Sequence, residues 1–490
     1  MARLSLHLPP LAGDYSGVCS ALFGLDCLVI IVDASCCTKN YVEYDEPRWA
    51  RRRKTAFSAQ LRTLEAVMGD DERIVSQTCD AVAELRPSCV AVVGSPVPAI
   101  MGMDLAGIAR EVEARTGVPS LGMPATGFET YEAGVSMALE ALVRRFAVPV
   151  GGADSARADA ARPFWVAAEP GDVAAEGAGA AGAGSLTTMA GGPLRLNVLG
   201  LSPQDFASEE DMRCQRSWLE SAGAQAAFCP DGAFTLADVA TAATADASVV
   251  VSWSGLAAAR LLRERCGVPY VVGRPLCASD AAALVAELRE GGTQPLWELL
   301  AGEPDDGLSA GDSRAVGVGR AVGVGPAVAN SRAAGAGHVG DESAAVGGID
   351  TASGPTQVVP GTPADADAPL LLVGEQVCAN TLRAYARGLL EAQGLASPVV
   401  VASLFSTDAS LAEPQDFHAA DEAVLADYAL AHPGLAWVGD PLYACIPELA
   451  AAPHLALPHE AVSSTLYEAD RAQLAGTGLL GALASFLASA

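Results

Sequence analysis

No CxxC pair occurs in this 490-residue chain although it holds twelve cysteines, which weighs against zinc ribbons, thioredoxin-like redox chemistry and ferredoxin-type domains. No apolar run reaches the roughly 18 to 20 residues that a membrane helix needs, and the opening MARLSLHLPPLAGDYSG lacks the basic-then-apolar order of a secretory signal. The chain is therefore expected in the cytoplasm, with its cysteines serving as thiols, cluster ligands or small buried hydrophobes ahead of disulfides. A formal charge of −28 repels phosphate backbones, so nucleic acid is not an expected ligand. A loop of the form GxxxxGK[ST] is absent too, which assigns any ATP hydrolysis to a partner.

What is present reads as α/β throughout. With 51% hydrophobic residues the chain exceeds one ordinary core, and two or three domains are expected. Residues 1–150 alternate apolar strands such as LVIIVDAS and VAVVGSP with amphipathic helices, the grammar of a parallel sheet covered on both faces. Residues 193–302 repeat it: strand LRLNVLGL, a helix opened by Ser208 with Asp211 as capping partner, and strand ASVVVSWSG. The joint RTGVPSLGM of the first block returns as RCGVPYVVG in the second, each with a glycine suited to end a helix in a left-handed cap. Residues 367–490 supply LLLVGE, PVVVASLF and LAWVGDP. The expected fold is three Rossmann-like doubly wound domains around a central cleft. Residues 151–192 and 303–366 are rich in Gly, Ala, Ser and Asp, and are expected as a low-complexity join and a disordered insertion, the former with Pro163-Phe164-Trp165 as a short anchor.

Ligands bind beyond the carboxyl ends of strands in such sheets, so the segments after each strand carry the candidate chemistry. They include Asp33-Ala34-Ser35-Cys36-Cys37, Gly94-Ser95-Pro96, Ser252-Trp253-Ser254, Gly374-Glu375 and Gly439-Asp440, with Pro458-His459-Glu460 late in the chain. Cys19, read in a glycine-containing loop DYSGVCSAL, and the pair Cys36 and Cys37 at a strand end give two thiolate sites on one domain edge, and thiolates suit iron–sulfur clusters. The other nine cysteines read as packed hydrophobes. Asp33, Glu375 and Asp440 are acids at the cleft or caps of the following helices. His459 follows an apolar strand and is expected to face the cleft, as a proton donor or as a loop histidine, whereas His7, His338, His418, His432 and His454 are not.

The surroundings of Cys19 and Cys37, followed in order by YDEPRW, MGDDERI, GSPVPAIMGMDLAGIAREVEARTGVP, VGEQVCANTLR, FSTD, GDPL and LPHEAVS, resemble those of nitrogenase component 1 proteins across all three blocks. The resemblance implies an oxidoreductase subunit with a [4Fe-4S]-type cluster at the interface with a second component 1-like subunit. It further implies electrons delivered by an iron protein-like ATPase to a small or tetrapyrrole-like substrate. It places Cys19 and Cys37 as cluster ligands, with Cys36 and Ser95 beside them. Ser95 stands where the family has a third cysteine, and serine is a weaker soft-metal ligand, so it reads as a ligand or as a turn residue. VVSWSG has no cysteine where the family holds its large metal cofactor, so dinitrogen reduction is not expected. A scaffold for metal-cluster assembly and a cluster-free binding protein are the rival readings.

Overall fold

The computed structural model describes residues 5–50, 56–62, 66–67, 69, 71–148, 192–206, 208–301, 358–359, 368–464 and 477–488. Residues 151–191, with the Pro163-Phe164-Trp165 anchor, and His338 with most of 303–366 lie outside them.

Apolar runs form the central strands Cys27–Ile31, Cys89–Val93 and Leu370–Val373, because a strand covered on both faces has no polar side to alternate with. The first sheet contains β1 (Cys27–Ile31), β2 (Ala56–Ser58), β3 (Cys89–Val93) and β4 (Ser120–Met123) in the order β2-β1-β3-β4, all parallel. Every residue of β1 and β3 is buried. The second contains β5 (Leu194–Leu199), β6 (Ala224–Ala226), β7 (Ala247–Val250) and β8 (Tyr270–Val272) in the order β6-β5-β7-β8, again parallel. The third adds β9 (Val358–Val359), β10 (Leu370–Val373), β11 (Val399–Ser403), β12 (Phe417–His418), β13 (Ala436–Gly439) and β14 (His454–Ala456), ordered β12-β11-β10-β13-β14-β9. The first two sheets thus have their first strand between their second and their third, and the third sheet has β10 between β11 and β13. The chain reverses direction across the sheet at that point and leaves a crevice beyond the strand ends. The α/β class with three such sheets is the one expected.

Helix ends follow local chemistry. Gly117 (φ 72°) and Gly267 (φ 72°) end their helices in the left-handed region, and β4 and β8 follow within a few residues, so the repeated Gly-Val-Pro joint builds the same turn twice. Ser208 accepts the Asp211 amide at 3.1 Å and opens helix Glu209–Ser221 as its sequence indicates.

Two expectations need correction. DYSGVCSAL is not a loop but helix Asp14–Leu22, packed across helix Tyr131–Phe146. A Cβ at Gly17 would stand 1.8 Å from the Tyr131 carbonyl oxygen, and one at Gly134 would stand 1.8 Å from that of Asp14. Here glycine serves close backbone approach, not a turn, and both helices carry the pattern Gly-Val-x-x-Ala-Leu at the crossing. The second correction concerns the segment expected as a disordered insertion over 303–366, since Val358–Val359 within it pairs antiparallel with His454 and Leu455 of β14. Two β-branched residues are enough to extend an edge that would otherwise be open.

Candidate functional site

The crevice of the first sheet gathers soft donors. After β1 the backbone turns through Ser35, whose φ of 82° is a left-handed conformation that a non-glycine residue adopts at some cost, and this turn presents Cys36 and Cys37 on the short helix Cys36–Asn40. Cys36 is exposed, Cys37 is buried, and their sulfurs are 3.9 Å apart. Asp33 is wholly buried and accepts the Thr38 amide at 2.8 Å and the hydroxyls of Thr38 and Ser58. Ligand atoms of Asp33, Cys36 and Cys37 all lie within 4.8 Å of one another, and no other such group of three His, Cys, Asp or Glu occurs among the described residues. Ser95, after β3, is buried and donates to the Val32 carbonyl at 2.7 Å. Burial pushes the Cys37 thiol up to about 12, with Cys36 and Asp33 adding repulsion and the neighbouring Ser95 hydroxyl opposing it.

Cys19 does not join that group of three. It lies on helix Asp14–Leu22 at 2% exposure, so the reading of Cys19 as a loop thiol at the domain edge is corrected: of the three cysteines only Cys36 is exposed. The glycine crossing explains this, because it lets the Cys19 helix sink onto helix Tyr131–Phe146. Burial first, then Glu46 and Asp33, holds the Cys19 thiol well above its ordinary range, so Asp33 acts on both buried thiols.

A second site lies where the crevices of the second and third sheets meet, in a cavity of about 410 Å³ whose lining includes Asp205, Phe206, Arg274, Glu375, Cys378 and His459. The His459 ring stacks on Phe405 with centroids 4.9 Å apart and lies 5.9 Å from the Tyr131 ring. Its Nε2 stands 3.5 Å from Asp205 Oδ1, close enough for an ion pair if the ring is protonated but without hydrogen-bond geometry. Asp205 Oδ1 takes the Tyr131 hydroxyl, while Asp205 Oδ2 and both ring nitrogens of His459 are buried with no hydrogen-bond partner. Buried polar atoms of this kind are uncommon and mark a place where a ligand can satisfy them. His7, His418, His432 and His454 do not line the cavity.

The acids at the strand ends divide their work. Asp440 accepts the Leu442 amide, the His459 amide at 2.7 Å and the Ser463 hydroxyl, so it is a cap that also fixes the His459 loop. Glu375 caps helix Gln376–Ala392 through the amides of Val377 and Cys378, and reaches across to the Trp253 amide at 2.8 Å. Burial, then repulsion from Asp205, pushes its carboxyl up to about 7, where it can exchange a proton at neutral pH. Next to Asp205, Gln204 donates to the Ser20 hydroxyl at 2.7 Å and to the Asp45 carbonyl, tying the cavity wall to the helix that carries Cys19.

Asp205, Tyr131 and Arg274 are the residues in or beside this cavity that sequence reasoning missed. Asp205 follows β5 and Arg274 follows β8, so the strand-end rule applied to those two strands would have found them. Tyr131 has no comparable signal, because it opens a helix of the first block and reaches Asp205 only through tertiary packing.

A family model described as nitrogenase component 1 type oxidoreductase matches residues 14–303. Among solved structures, one described as nitrogenase Cp1 at pH 6.5 aligns with a TM-score of 0.58 and 11% identity, covering 100% of this chain and 94% of that one. Another, nitrogenase Cp1 at pH 5, aligns with a TM-score of 0.46 and 12% identity over 84% of this chain and 70% of that one. No curated protein sequence matches.

Proposed function

We propose, from the premise that this chain belongs to the nitrogenase component 1 type oxidoreductase family, that it is an iron–sulfur oxidoreductase subunit reducing a small organic substrate in the cavity around His459. The observation that carries this reading is the Asp33–Cys36–Cys37 group at the first-sheet crevice.

The donor set fits iron. Two thiolates sharing one tetrahedral metal at about 2.3 Å would sit roughly 3.8 Å apart, and the two sulfurs here are 3.9 Å apart. Cys36 and Cys37 are thus spaced for one iron, so one of the two would serve as a terminal ligand of the cluster, with Asp33 and Ser95 beside it. A [4Fe-4S] cluster needs a donor on each of four irons, so this reading calls for ligands from a second component 1-like subunit, for which the exposed Cys36 leaves access. Bound there, the cluster would supply one-electron transfer, with an ATP-dependent iron protein as the donor.

At the cavity, Asp205 and Tyr131 hold the His459 ring in place, and Phe405 shields one of its faces. His459 then offers a proton to a ligand from a desolvated position, and Glu375, poised near neutrality, can resupply one. A volume of about 410 Å³ falls near the low end of the roughly 300–1,000 Å³ typical of small-molecule sites, which favours a small substrate over a tetrapyrrole. A cluster-assembly scaffold would use the thiols and leave this cavity without a task.

Anaerobic purification and iron–sulfide reconstitution test the reading. A brown protein with acid-labile sulfide and a dithionite-dependent EPR signal is expected, and a protein that stays colourless and iron-free would overturn it. His459→Gln should lower turnover by roughly 10²-fold, the lower end for a lost general acid, with iron content unchanged; full activity in that variant would reduce His459 to a loop residue.

A further inference from the structure

Arg274 stands in the wall of the cavity, half-buried, with its guanidinium 3.8 Å above the centre of the Phe206 ring. One of its amino groups donates to the Asp205 backbone carbonyl at 3.1 Å, and the Cys378 thiol is a second neighbour. No carboxylate lies within ion-pair distance of it among the described residues. The acids of the cavity make their hydrogen bonds elsewhere, Asp205 Oδ1 with Tyr131, Glu375 with three backbone amides and Asp211 with the Ser208 hydroxyl. Arg274 nonetheless lies near enough to Asp211 to favour its charged form, and Asp205 Oδ2 has no hydrogen-bond partner. A guanidinium has five donors in a planar fork, and stacking on Phe206 fixes that plane, so an orientated cation with no ion pair among the described residues lines the cavity. The rest of the wall is largely apolar, with Trp218, Leu276, Leu372, Leu382 and Leu457 among its residues.

We propose that the cavity takes a small, mostly apolar organic acid whose carboxylate pairs with Arg274 while its body lies on the leucine wall. Partly desolvated cations in proteins are matched by anions, and an Arg–carboxylate pair is the strong, bidentate form of that match. Arg274 and His459 both contact Asp205, so the bound acid group lies near the imidazole. Arg274 is then a specificity residue, which selects the ligand by its charge and fixes which end approaches His459. This inference rests on the cavity being the substrate site and adds the chemical class of its ligand.

The test uses the full chain and two probes of equal shape, 1-naphthoate and 1-naphthamide, titrated calorimetrically. The acid is expected to bind at least about ten-fold more tightly than the amide, within the range of a charge-assisted pair. Arg274→Gln should erase that preference while keeping amide binding, and Arg274→Lys should retain part of it, with melting temperatures confirming that both variants fold. Equal binding of the two probes to the unmodified chain, or an acid preference that survives in Arg274→Gln, would overturn the assignment of an acid ligand alone. Binding of neither probe would overturn the substrate cavity with it.

Discussion

The crevice of the first sheet and the shared crevice of the second and third both form where a sheet's strand order reverses, yet they carry opposite chemistry. The first presents two adjacent sulfurs and a carboxylate, with Cys36 open to the surface. The second sets an imidazole, three carboxyl groups and a guanidinium against leucines. Topology decides where a crevice forms and only the residues after each strand decide what it can hold, so one repeated fold can keep soft-metal chemistry and proton chemistry apart within a single chain.

The largest effect is expected where both crevices depend on one contact. Gly17→Leu drives a side chain into the Tyr131 backbone and displaces the helices that carry Cys19 and Tyr131. Overpacking of this kind should cost on the order of 3 kcal/mol or more, so denaturant unfolding should show gross destabilisation with loss of both iron binding and naphthamide binding. If only one of the two sites fails, the crossing is not the shared support described above.

Next in size, Cys36→Ala combined with Cys37→Ala should remove most of the reconstituted iron, whereas probe binding in the cavity should stay within about two-fold, since separated sites act independently. Iron retained in the double variant would move the cluster site away from the first-sheet crevice.

A smaller, pH-dependent effect separates Glu375 from the thiol edge. Its folded-state pKa of about 7 lies above the unfolded value near 4.3, so the native state binds the proton more tightly. This contribution is fully present at low pH and is lost as pH rises through about 7, at on the order of 1 kcal/mol per pH unit across the window. Glu375→Gln should therefore gain stability relative to the unmodified chain at pH 8 compared with pH 5, measured by denaturant midpoints. A difference that is the same at both pH values would mean that Glu375 does not titrate in this way.

The smallest change is expected from replacing residues 303–355 with a short Gly/Ser bridge, because loop-closure cost grows only logarithmically with length and should move the melting temperature by no more than about 2 °C. Extending the deletion to 303–366 removes Val358–Val359 from the edge of the third sheet and should cost roughly 1 kcal/mol more, the scale of a cross-strand pair. Equal stability of the two deletions would show that this edge strand contributes nothing.

The α/β grammar was legible in the sequence because buried parallel strands read as continuous apolar runs and the Gly-Val-Pro joints mark helix ends. His459 and the Cys36–Cys37 turn were legible from their place after strands. Cys19 was misread because glycine inside a helix crossing has the same letter as glycine in a turn, and only the facing backbone of Tyr131 distinguishes them. The partnership of Tyr131, Asp205 and His459 was not legible at all, since its members lie far apart in sequence and no local period connects them.

That partnership bears on how such a chain can evolve. Three parallel-sheet blocks in succession look like cassettes that could be exchanged, duplicated or expressed alone. The hydroxyl of Tyr131 comes from the first block, the carboxylate of Asp205 from the second and the imidazole of His459 from the third. A chimera that imports a foreign first block would leave Asp205 buried without its donor, so recombination between relatives should succeed only when the residues at these three positions travel together.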